Sequence, residues 1–256
     1  MRAKILDTDD LGCPVRLRHP ARRIVSLVPS LTESIASVDP GTIVGATDYC
    51  THPVDLVATR VRGTKNPDIR AIVALGPDLV IANREENRRI DVERLRAAGI
   101  QVWVTEIETV ADALTSLRRL FETALGWKQP AWLTIAATGW EADAGPSRAS
   151  VAIPIWRDPW MVVGSRTFAD DMARILGLAN IFRDEIDRYP RITVEEIRRR
   201  NPEVVLLPDE PYSFTSNDGP ECFPDSKVVL LEGRLLTWYG PSLATARTAI
   251  TAALAQ

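Results

Sequence analysis

The sequence predicts an α/β protein built as two similar Rossmann-like lobes with parallel sheets, and three observations predict it. First, the stretch DIRAIVALGPDLVIAN (residues 68–83) recurs as TVEEIRRRNPEVVLLP (residues 193–208). Ile69 matches Val194, Ile72 matches Ile197, Pro77 matches Pro202, Asp78 matches Glu203 and Val80 matches Val205, all at one offset of 125 residues (194 − 69). Each copy reads as a short helix stopped around a proline and followed by an unbroken β-branched run, the pattern of a strand covered on both faces in a parallel sheet. Second, helix and strand signals alternate on either side of these copies, as parallel sheets with right-handed crossovers require. Third, strand signals vanish between residues 110 and 144, where apolar residues recur at helical spacing. The expected organisation is an N-terminal α/β lobe over residues 1–109, a helical linker over 110–145 and a C-terminal α/β lobe over 146–256. Helix-proline-acid-strand is also a common αβ connection, so the paired stretches alone leave duplication and coincidence both open.

The elements follow in order. Residues 1–22 read as a short β-like lead-in ending in the basic group Arg16, Arg18, Arg22 and Arg23, and residues 24–28 as the first buried strand, closed by Pro29. Ser30 is expected to cap a helix running to about Val38, with Glu33 in the capping-box position. Asp39-Pro40-Gly41 ends it, residues 43–46 form the next strand, and a loop follows over 47–53. After the first repeat copy come a polar loop (84–89), a helix (91–98) stopped by Gly99, and a strand (100–105). Residues 110–125 are helical, Gly126 to Pro130 interrupt them, and a second helical stretch runs to about Asp143. A helical link is stiffer than a loop, so large hinge opening is not expected. The second lobe opens with a strand over 150–156 and a tryptophan-bearing loop, then a helix from Thr167 to about Leu176 with Gly177 as its stop. A charged connection (180–188) leads to the second copy. A long loop (209–224), short strands over 228–231 and 235–238, and a terminal helix over 242–255 complete the chain.

At 256 residues, 45% apolar and 25% charged, the chain has the composition of an ordinary globular protein with a substantial core. Its net charge of −3 gives no support to a nucleic acid or an anionic membrane as partner, and a monomer is expected. Cys13, Cys50 and Cys222 make no CxxC pair, which fits a reducing compartment. No run approaches the length of a membrane span, and MRAKILDTDDLGCPV lacks the apolar centre of a secretory signal. Leu11-Gly12-Cys13 has the shape of a lipoprotein cleavage site, but Asp7, Asp9 and Asp10 stand where an apolar segment belongs. The expectation is a cytoplasmic protein, or an extracytoplasmic one if Met1 marks a trimmed start.

Five stretches, in order, resemble the class III substrate-binding proteins of ABC importers, the helical-backbone metal receptors that bind vitamin B12, iron-siderophores or haem, and resemble the cobalamin-binding branch most. They are RRIVSLVPSLTESIA (22–36), IVGATDYCTHP (43–53), IRAIVALGPDLVIAN (69–83), LGLANIF (176–182) and YPRITVEEIRRRNPEVVLLP (189–208). The resemblance implies two lobes joined by a long backbone helix, a ligand held in the cleft between them, and membrane subunits of an importer as partner. It also implies a docking carboxylate in each lobe; Glu195 fits, while the equivalent position holds Arg70. Thr64 and Asn83 stand where that branch has aromatic residues.

Ligands of parallel α/β sheets sit beyond the carboxyl ends of the strands. The loops expected there carry Tyr49, Trp156, Trp160, Tyr189, Tyr212, Phe214, Trp238 and Tyr239, and a flat corrin or porphyrin needs such faces plus a few hydrogen-bonding groups. Tryptophans near strand ends also cap cores, so about half of the eight are expected to face the ligand. Asn83 is expected beside it. His52, next to Cys50, is a candidate axial ligand to cobalt or iron, against a solvated loop histidine. Arg84, Arg157 and Arg188 are candidates for ligand carboxylates, against ordinary surface arginines. Glu195 in a helix's first turn is otherwise a solvated residue favoured by the dipole.

Catalytic signals are lacking: no GxSxG, phosphate-binding glycine loop, GxGxxG or HExxH occurs, and His19 and His52 are the two histidines. The expected function is non-catalytic binding of a small-molecule metal chelate, cobalamin first, haem or a ferric siderophore next, with no resident cofactor. The alternatives are a tetrapyrrole-handling enzyme such as a chelatase using His52 with Glu85 or Glu86, and an intracellular corrinoid carrier or sensor.

Overall fold

The computed structural model describes residues 3–141 and 147–256. The chain forms two compact units: Met1–Ile107, Ala111–Thr134 and Tyr239–Pro241 make the first, and Glu108–Val110, Ile135–Trp238 and Ser242–Gln256 the second.

The first unit opens with an antiparallel hairpin, β1 (Ala3–Thr8) and β2 (Pro14–His19), where the sequence reading expected only a lead-in. Asp9 shapes the turn, its Oδ1 accepting from the backbone N–H of Leu11 and Cys13, and Arg96 donates to its Oδ2 at 2.7 Å. Then follow β3 (Ile24–Ser26), α1 (Pro29–Ala36), β4 (Ile43–Ala46), β5 (Thr59–Arg60), α2 (Ile69–Leu75), β6 (Leu79–Asn83), α3 (Arg89–Ala97) and β7 (Val102–Thr105). The strands form one parallel sheet in the order β5-β4-β3-β6-β7. Every residue of β3, β6 and β7 is buried, as their unbroken apolar runs require.

After β7 come α4 (Val110–Arg119), a π-helical turn over Leu120–Leu125, and α5 (Ala131–Trp140); residues Ala111–Thr134 are counted with the first unit and those from Ile135 with the second. Gly126, at φ 68°, ends the first helical stretch where the sequence placed the break. Asp143, the expected end of the second, lies outside the described residues.

The second unit contains β8 (Ala149–Ala152), the hairpin β9 (Pro154–Trp156) and β10 (Met161–Val162), α6 (Phe168–Ile175), β11 (Leu178–Asn180), α7 (Val194–Arg199), β12 (Val204–Pro208), β13 (Lys227–Leu231), α8 (Arg234–Thr237) and α9 (Leu243–Ala255). Its four-stranded sheet, β11-β8-β12-β13, is again all parallel.

The two repeat copies fold alike. β6 and β12 begin and end at the shared offset, and α2 and α7 begin at it. The Asp68 side chain caps α2 through the N–H of Ala71, and Thr193 caps α7 through that of Glu196. After the prolines, Asp78 Oδ2 accepts from the N–H groups of Arg22 and Arg23, and Glu203 Oε2 accepts from that of Ser150. Arg23 and Ser150 each stand one residue before the strand position that pairs with the repeat, Ile24 with Leu79 and Val151 with Val204. One carboxylate thus fastens the same two central strands in each sheet.

Two local expectations are corrected. Ser30 is not a cap: α1 begins at Pro29 with Val28 before it and no side-chain cap bond, because proline in the first turn needs no N–H partner. Residues 235–238 are not a strand: α8 takes in 235–237 and Trp238 caps it, with the N–H of Thr237 bonding to the carbonyl of Gly233.

Candidate functional site

In the second unit the loops beyond the strands build an aromatic cluster. Trp156, at the end of β9, meets Tyr212 edge-on at 5.8 Å and 75°, and Tyr212 lies 4.7 Å from Phe214. Beneath them Trp160 stacks on Phe214 at 5.9 Å and takes Phe223 edge-on at 5.5 Å. Arg157 pins the loop over residues 209–224: its Nη1 donates to Asp218 and, at 2.6 Å, to Glu221, and its guanidinium lies over Trp160. Asp218 also accepts from the Tyr212 hydroxyl at 2.6 Å. Tyr189 is half-buried between Arg188 and Pro190, whose carbonyls accept from the N–H groups of Gly164 and Val162.

The aromatics divide sharply. Trp156 is 41% exposed, whereas Trp160, Phe214, Trp238 and Tyr239 are buried. For these four the expectation of open stacking faces is corrected: Trp160 and Phe214 belong to the unit's hydrophobic core, and Arg234 covers the Trp238 ring at 5.2 Å. Tyr239, counted with the first unit, donates its hydroxyl to Glu86 at 2.9 Å.

In the first unit, Tyr49 is 65% exposed on the loop after β4. Arg60 holds that loop through the carbonyls of Thr47 and Cys50. The neighbouring Cys50 is buried, receives a hydrogen bond from Thr32 and shares another with the Thr47 hydroxyl, and has its thiol pKa pushed up chiefly by burial. His52 is partly exposed with Nδ1 3.1 Å from the Thr51 hydroxyl. Among the described residues no group of three or more His, Cys, Asp or Glu is placed to hold a metal ion.

Asn83 is corrected from a ligand contact to a loop brace. It is buried, its Oδ1 accepts from the N–H groups of Glu85 and Glu86, and its Nδ2 donates to Thr105 Oγ1. The arginines are spoken for within the protein: Arg84 pairs with Glu106, Arg157 with Asp218 and Glu221, and Arg188 with Glu108 at 2.8 Å. Glu195 and Arg70 are both exposed at the second residue of their helices, α7 and α2.

Glu210 opens a loop that the sequence places beyond a strand end without marking the residue itself as a candidate, and it sits two residues beyond β12. Its Oε1 is shielded from water with no hydrogen-bond partner. Burial, then the charge of Asp209, pushes its carboxyl above the usual range, against a bond from Trp238. The signal that finds it is the repeat itself, which aligns Glu210 with Glu85 (210 − 85 = 125).

Each unit is thus built on one parallel sheet with aromatic residues on the loops beyond its strands, the frame of a two-unit α/β fold. The periplasmic vitamin B12 binding protein BtuF of Vibrio cholerae superposes with a TM-score of 0.75 over 92% of this chain and 97% of its own, at 20% identity. The periplasmic heme-binding protein RhuT from Roseiflexus sp. RS-1 gives 0.76 over 91% and 97%, at 22% identity. No family model matches the chain. The vitamin B12-binding protein of Salmonella typhi is 30% identical over 204 residues, covering 77% of this chain and 76% of that protein. The chain belongs to the family of the vitamin B12-binding proteins, a branch of the class III substrate-binding proteins. It is a binding protein and not an enzyme, which sets the chelatase alternative aside. The cytoplasmic placement expected from the N-terminal residues is corrected by the same finding, since these solved relatives are periplasmic proteins.

Proposed function

We propose that this chain binds one flat, metal-containing macrocycle, a corrinoid before haem or a ferric siderophore, and hands it to the membrane subunits of an importer. The observation that carries the ligand is the exposed face of Trp156, held edge-on by Tyr212 on a loop that Arg157 locks in place. A rigid indole offered to solvent gives a ring a surface to stack on at little entropic cost. The vitamin B12-binding relatives support the corrinoid, and the likeness to the heme-binding protein RhuT supports the second reading. Tyr49, His52, Tyr189 and Tyr212 join Trp156 as ligand contacts, with His52 the candidate axial ligand. Glu195 serves docking, and the equivalent helix position holds Arg70 in place of a second carboxylate.

Titration of the purified protein with cyanocobalamin, haemin and a ferric siderophore, followed by absorbance and calorimetry, tests the reading. One-to-one binding of cyanocobalamin, weakened by about 1 kcal/mol or more in Trp156→Ala, is expected. Binding of none of the three overturns it; an unchanged affinity in the variant removes Trp156 from the site.

A further inference from the structure

Tyr49 and Gly63 stand at equal steps beyond one rung of the first unit's sheet. Ala46 and Arg60, the last residues of β4 and β5, pair in parallel, and Tyr49 and Gly63 each follow three residues later (49 − 46 = 63 − 60 = 3). The two segments stay joined past the strands: the Val61 N–H donates to the Ala46 carbonyl at 3.0 Å, and the Asp48 N–H to the Arg62 carbonyl at 2.9 Å. Arg60 Nη1 fixes the Tyr49 loop on both sides of the ring, donating to the carbonyls of Thr47 at 2.9 Å and Cys50 at 2.8 Å. Both residues thus lie at the carboxyl ends of parallel strands, the end where ligands of such sheets sit.

Gly63 is buried, and the tyrosine ring rests on it: a Cβ at Gly63 would lie 3.1 Å from Tyr49 Cε2. Carbon atoms in ordinary contact keep about 3.5–4.0 Å, so the ring comes closer than a side chain at position 63 would allow. The backbone of Gly63 lies outside the left-handed region, so the glycine answers to space and not to conformation. The other atom that a Cβ would crowd is Oδ1 of exposed Asn66, 2.5 Å away, on a side chain that can swing into solvent. Tyr49 is therefore supported along one edge while 65% exposed, and a ring already held loses little freedom on stacking.

We propose that Gly63 is a positioning residue for the ligand, a seat without a side chain that sets the angle at which Tyr49 presents its ring. This rests on the corrinoid reading and deepens it: the first unit offers the macrocycle a preset aromatic face, not a loop that must order on binding.

The test is a double-mutant cycle read by titrating cyanocobalamin into the full chain and following absorbance. Gly63→Val, whose branched side chain takes the place of the ring's edge, is expected to weaken binding about fivefold, and Gly63→Ala, which displaces the ring less, at least about twofold. With Tyr49→Ala already present, neither substitution should weaken binding further, because the ring they displace is gone. Asn66→Ala, which removes the other crowded atom, should leave the affinity unchanged. Three results overturn the role of Gly63 while the corrinoid reading stands: Gly63→Val binding as well as the unaltered protein, an equal loss with alanine at position 49, or an equal loss in Asn66→Ala. Full affinity in Tyr49→Ala overturns it too, and leaves Trp156 as the stacking residue. If the unaltered protein does not bind cyanocobalamin, both fall. Gly63→Ala, run through the same cycle, decides the matter if Gly63→Val does not fold.

Discussion

Gly76 and Asn201 hold the same left-handed backbone, φ 55° and 49°, at matching places in the two repeat copies, each one residue before its proline. At this conformation a Cβ strains against the backbone, which glycine avoids and asparagine tolerates. No atom lies within 4 Å of where a Cβ on Gly76 would sit, so the conformation alone is tested there. Gly76→Ala is expected to cost about 1 kcal/mol, and Asn201→Gly to gain about 0.5 kcal/mol, in urea unfolding. A neutral Gly76→Ala would mean that the turn can leave the left-handed region at no cost.

Asp78 tests how each sheet is fastened at its centre. Its carboxylate receives two backbone N–H groups from the strand beside it and is nearly enclosed. Asp78→Ala strands those donors and should cost about 2 kcal/mol, while Asp78→Asn keeps an accepting oxygen and should cost less. Equal losses in the two variants would assign the effect to charge and not to the hydrogen bonds.

Removing Arg157 should loosen the long loop of the second unit. Asp218 and Glu221 would face each other without their shared cation. Hydrogen exchange of the amides from Tyr212 to Phe223 should quicken at least several-fold in Arg157→Ala, with the first unit's sheet unaffected. Uniform quickening across both units would point to global destabilisation instead.

Glu210 gives a pH-dependent expectation of definite sign. Burial raises its folded pKa above that of the unfolded chain, so its charge lowers stability at pH values above the folded pKa. The penalty fades as pH falls through that value and the carboxyl takes up a proton. Glu210→Gln should therefore melt about 1 to 3 °C higher than the unaltered protein at pH 7, with the difference gone by about pH 4. A difference that does not change with pH would place its origin in packing.

Much of the architecture was readable because it is written in periodic features. The offset of 125 residues, the prolines and the β-branched runs announced α2, β6, α7 and β12 almost to the residue. β5 and β11 escaped because two or three residues carry no usable period, and their pairing comes from the neighbouring strand. Leu235, Leu236 and Trp238 read as strand, since four residues are too few to show helical spacing. At the site, sequence placed aromatics at strand ends but could not separate Trp156, which meets solvent, from Trp160, which the core encloses. The pairing of Arg157 with Asp218 spans 61 residues and depends on how two loops pack, so the sequence could not show it.

The common length of the two strand-bearing copies makes them interchangeable parts. A chimera in which residues 68–83 and 193–208 trade places would keep each cap, left-handed residue, proline and acid at its own station. Both sheets should then still assemble, at some loss from mismatched neighbours in the interior. Cutting one residue from either graft would slide its strand out of step with the partners on both sides, so a deletion there should be far more damaging than the whole exchange.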